Sequence, residues 1–89
     1  MITRNEFLKY IKPLEDNVYS LLESNTLSSS ESIMITDALI RITKKLLDPS
    51  KLLKELNNLT PLQIEILEKH NLVHSINEAK NFLSNRNTN

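Results

Sequence analysis

The sequence predicts an all-α protein, a compact bundle of four or five helices, the first two long and antiparallel and the last three short. Three observations carry that reading. Apolar residues recur in alternating steps of three and four along most of the chain. Capping residues stand at the head of each such stretch. The 89 residues include no glycine, where average usage of about 7% would give roughly six. Primed hairpin turns, Rossmann turns and phosphate-cradling loops all need glycine's backbone freedom, so their absence is expected.

The first helix is predicted over 4–23. Thr3 and Glu6 form a capping-box pattern, and Phe7, Ile11, Leu14, Val18 and Leu21 make a heptad-like seam. Pro13 interrupts it. An interior proline removes one hydrogen bond and clashes with the preceding turn, at a cost of about 3 kcal/mol. The seam keeps its register across Pro13, which favours one kinked helix over two. Leu8, Tyr19 and Leu22 flank the seam on one side and Tyr10 on the other.

The stretch 28–47 organises the chain. Ser28 and Glu31 repeat the capping box, and Ile35, Leu39, Ile42 and Leu46 form a narrow stripe. Ile33, Ile40 and Leu47 form a second stripe at sevenfold spacing, about a third of a turn away at 100° per residue. Thr36 and Thr43 lie between the stripes, and Asp37, Arg41, Lys44 and Asp48 share the remaining face. Two stripes demand neighbours on two sides. The short helices that follow are one cover for the second stripe; a partner or a second copy is another.

Asp48-Pro49 opens a short helix to about Asn57, with Leu52, Leu53 and Leu56 inward. Thr60, Pro61 and Gln63 supply N-cap, N1 and N3 of the next helix, with Leu59 and Ile64 as its hydrophobic staple. That helix is predicted to end at Lys69 or His70. Asn71 then takes the left-handed C′ position, and Leu72 and Leu67 make the apolar pair of a Schellman close. Ser75 with Glu78 reads as the opening of the last helix, whose inner face is Ile76, Ala79, Phe82 and Leu83. Residues 1–84 make one domain, and 85–89 a frayed polar tail.

Composition restricts the function classes. Lys plus Arg equals Asp plus Glu, 11 of each, so no global field draws the chain to nucleic acid or anionic lipid. No apolar run approaches the ~20 residues of a membrane span. The opening Met-Ile-Thr-Arg-Asn-Glu lacks the pattern of a signal peptide, and there is no cysteine for disulfides or thiolate ligands. A cytoplasmic location is expected, with the nucleus as the alternative. His70 and His74 have the spacing of a helical metal pair, but the break at Asn71 separates them and no third ligand stands nearby. No Ser-His-Asp set or paired carboxylate is present, so neither catalysis nor a cofactor is expected.

The leading expectation is a non-enzymatic protein-interaction module, a small regulator, inhibitor or subunit of a larger assembly. It would dock an apolar helix face on another protein or on itself. The candidate partner-binding residues are Ile33, Ile40 and Leu47, with Tyr19 and Leu22 from the first helix. The alternative is a DNA-binding regulator, for which Arg41, Lys44, Lys45, Lys51 and Lys54 are the basic concentration. Leu59-Thr60-Pro61 with Glu65-Ile66-Leu67 resembles the opening of several bacterial helix-turn-helix regions. That resemblance implies a recognition helix, yet the final helix offers only Lys80 and Arg86 as cations. In size and helix content the chain also looks similar to small bacteriocin-immunity proteins, without a specific motif.

Overall fold

The computed structural model, which describes residues 2–87, contains five helices and, among those residues, no strand. Helix α1 is continuous over 4–23, in three contiguous segments: α-helical Arg4–Glu6, π-helical Phe7–Ile11 and α-helical Lys12–Glu23. The π turn is how the chain accommodates Pro13. The Lys12 N–H reaches back five residues to the Phe7 carbonyl, and Pro13 enters the next segment near its start, where a missing N–H costs little. The seam survives: Ile11, Leu14, Val18 and Leu21 are buried.

Helix α2 is Ser29–Lys44, three residues shorter than the predicted stretch at its C-terminal end. Its last turn tightens as the Lys45 N–H bonds the Ile42 carbonyl, so Leu46 and Leu47 lie in the turn beyond. Helices α3 (Pro49–Asn57) and α4 (Pro61–Lys69) follow, as the caps predict. Asn71 has φ 65°, the one positive φ among the described residues. The Leu72 N–H bonds the Leu67 carbonyl at 2.9 Å and the Asn71 N–H bonds the Glu68 carbonyl at 3.1 Å, which are the two bonds of a Schellman close.

Two expectations for the last helix are corrected. Helix α5 runs Val73–Asn87, so it is long, nearly matching α2, and not short. It also starts two residues before Ser75. The Schellman close leaves Leu72 placed to begin a helix at once, and the Ile76 N–H bonds the Leu72 carbonyl. Ser75 is therefore not a cap; its hydroxyl donates to the Leu72 carbonyl and accepts from Asn17 Nδ2 of α1. Helix continues through residues 85–87, within the stretch predicted to fray. An ion pair from Arg86 to Glu6 at 3.3 Å ties that end to α1. Residues 88 and 89 lie outside the described residues.

The helices form a four-sided bundle. Helix α1 packs against α2 on one flank and α5 on the other. Helices α3 and α4 together make the fourth side, each touching both α2 and α5. Helices α2 and α5 lie on the diagonal, their backbones not in close approach, so α2 is not the hub of every element. Side chains fix these assignments. Asn17 with Ser75, Tyr10 stacked on Phe82 at 4.4 Å and Glu6 with Arg86 set α5 antiparallel to α1. On α2, Glu55 of α3 meets Arg41 and Lys45, and Gln63 of α4 bonds the Met34 carbonyl. The core runs through the middle: Ile35, Leu39 and Ile42 of α2, Leu52 and Leu56 of α3, Leu67 of α4 and Ala79 and Leu83 of α5.

Candidate functional site

The contacts of Glu31, Met34, Arg41 and Lys45, read with helical geometry, show what each side of α2 meets. At 100° per residue, Glu31, Met34, Arg41 and Lys45 lie on one flank of the buried seam, the flank that α3 and α4 occupy. Thr36 and Thr43 lie on the other, toward α1. Ile33 and Ile40 lie beyond the threonines, turned away from the short helices. Those helices therefore cannot cover the second stripe. Ile33 is 82% exposed, Ile40 38% and Leu47 83%, while Ile35 and Leu39 are wholly buried. The narrow stripe is core and the second is surface.

The same reasoning places Tyr19 and Leu22. Asn17 faces α5, so residues on the opposite flank of α1, including Leu8, Glu15, Tyr19 and Leu22, face the α2 side. Leu8 and Tyr19 are exposed, and Leu22 is half-buried against the core. Ile33, Ile40 and Tyr19 are thus exposed on the outer side of the antiparallel pair α1 and α2, with Leu22 at its half-buried margin. Leu47 extends that face past the end of α2, where it lines an apolar groove of about 320 Å³ with Ile2, Thr3, Arg4 and Phe7. Sequence periodicity does not foresee Ile2 and Phe7 in this role, because they border Leu47 only once the two helices are aligned.

The basic concentration is brought together differently. Arg41 Nε lies 3.1 Å and Lys45 Nζ 2.9 Å from the two carboxylate oxygens of Glu55. Those contacts, Lys45 first, hold the Glu55 carboxyl below the usual carboxylate range against the desolvation that raises it. Lys51 is 3.8 Å from Asp48, and Arg41 also meets Asp37. Lys44 and Lys54 are exposed. A carboxylate sits between Arg41 and Lys45, and three of the five cations are paired.

At the other end of α2, Glu31 has two roles. It caps its own helix through the Ser28 N–H at 2.9 Å, and it accepts from Lys69 at 3.1 Å and faces His70 at 3.5 Å. The Ser28 N–H chiefly, then Lys69, lowers its carboxyl to about 2. His70 thus faces Glu31 while His74 faces Glu78 on α5, so the break at Asn71 does part the two histidines. No cluster of three metal-ligating side chains occurs among the described residues. No buried side-chain nitrogen or oxygen among them lacks a partner. No helix among them is long and apolar enough to cross a membrane.

No known family matches the chain, and no curated protein or solved structure is similar to it.

Proposed function

We propose that this chain is a non-enzymatic protein-interaction module that docks through the outer face of α1 and α2. One observation carries the reading: Ile33 and Leu47, two large aliphatic side chains, are more than four-fifths exposed in a fold whose other seam is fully buried. Ile40 and Tyr19 are exposed as well. Exposed apolar surface of this kind is characteristic of interaction sites, and docking on another protein is the use this reading gives it. The Leu47 groove gives such a partner a concave seat at one end. The carboxylate of Glu55 amid Arg41 and Lys45 favours protein over nucleic acid as the partner, since phosphate binding relies on uncompensated cations.

The experiment compares tagged wild type with Ile33→Asp as baits in an extract of the source cell. Ile33 contributes little to the fold, so the variant should melt at the wild-type temperature and lose the bound protein. Identical capture by both baits would refute the docking face.

A further inference from the structure

We infer that the occupant of this face is a second copy of the chain, docked antiparallel about a two-fold axis near Ile40. This rests on the docking role proposed above and names the partner. The face is complementary to itself. Rotation about that axis sets Ile40 against Ile40 and Ile33 of each copy against Leu47 of the other. Asp37 and Lys44 lie together on the solvent side of the stripe, seven residues apart. In an antiparallel pair, same flanks meet, so Asp37 of one copy lies beside Lys44 of the other, and the contact occurs twice. The side chain of Asp37, which also pairs with Arg41 of its own helix at 3.4 Å, is 89% exposed.

The alternative parallel arrangement sets the Asp37 and Lys44 flank of one copy against the threonine flank of the other. There α1 stands in the way, and its Lys12 is already paired with Glu15 and Asp16. The antiparallel arrangement also pairs α1 with α1. The helices α1 and α2 run antiparallel, with the start of α1 beside Leu47. Tyr19 is then level with the first turns of α2 and Leu8 with its end. The rotation brings Tyr19 of one copy to the level of Leu8 of the other, and both are exposed. Rim charges of this kind add little affinity but fix register and orientation.

Sedimentation equilibrium tests the inference with charge reversal. Wild type should associate reversibly to a dimer, and Ile33→Asp should remain a folded monomer. Asp37→Lys places two lysines on the flank and Lys44→Asp places two aspartates there. Each variant alone should dimerise about tenfold or more weakly than wild type, because like charges now meet. An equimolar mixture of the two should recover association as a heterodimer. A wild type that stays monomeric at millimolar concentration, with Ile33→Asp folded, would overturn the second copy as occupant while leaving the docking face open. A dimer that Ile33→Asp leaves intact, or a mixture no tighter than its components, would equally overturn it. Unfolding of Ile33→Asp would instead refute the docking face itself, by showing the stripe to be core.

Discussion

Replacing Gln63 with glutamate tests how α4 is fixed to the bundle. Either residue satisfies a capping box at N3. In this chain Gln63 does more. Its Oε1 accepts from the Thr60 N–H at 2.9 Å while its Nε2 donates to the Met34 carbonyl of α2 at 3.0 Å. Glutamate keeps the first bond and gains about 0.3–1 kcal/mol from its charge at a helix N-terminus. It loses the second bond and turns a carboxylate oxygen toward a carbonyl oxygen in a half-buried site. That loss is about 1–3 kcal/mol. The loss exceeds the gain, and Gln63→Glu should destabilise the protein by roughly 1–2 kcal/mol at neutral pH. For a domain of this size each kcal/mol lowers the melting temperature by about 4–8 °C. Urea unfolding followed by circular dichroism measures the difference directly. The deficit should narrow below about pH 4, where the introduced carboxyl is protonated and can donate to the Met34 carbonyl again. A Gln63→Glu variant as stable as wild type at pH 7 would mean that the bond to Met34 contributes nothing.

Three further outcomes follow from the same structure. Leu39→Ala should cost roughly 2–5 kcal/mol in urea unfolding and Ile33→Ala less than about 0.5 kcal/mol, because one is buried and the other exposed; equal costs would erase the distinction between the two stripes. Glu31→Gln should change the acid limb of stability: the carboxyl is lowered from 4.5 to about 2, so its contribution is complete above pH 4.5 and disappears as pH falls toward 2, and wild type and variant should converge there. A gap that widens on acidification would contradict the assigned contacts of Glu31. Asn71→Gly should be neutral or stabilising in thermal melts, whereas Asn71→Ala should cost about 1–2 kcal/mol, since the position has φ 65°; tolerance of alanine would place the left-handed turn elsewhere.

Local chemistry alone determined much of this protein. The capping boxes of Thr3, Ser28 and Thr60, the Asp48 cap and the left-handed Asn71 depend on side chains within three or four residues of the backbone groups they satisfy. Such bonds need no tertiary partner, so they are legible in sequence. The buried seam of α2 was legible for the same reason, as was the existence of a second stripe beside it. Ser75-x-x-Glu78 shows the limit: it matches a cap pattern, but the Schellman turn before it had already launched the helix, and Ser75 was free to bond Asn17 of α1.

The tertiary structure alone decided which flank of α2 the short helices take. Periodicity gives angles around a helix axis but not which neighbour stands at each angle. That was settled by contacts between residues far apart in the chain: Gln63 on Met34, Glu55 between Arg41 and Lys45, and Lys69 on Glu31. Those contacts draw α3 and α4 to the flank opposite Ile33 and Ile40, turn most of the basic concentration into paired charge, and leave one apolar face of the bundle uncovered.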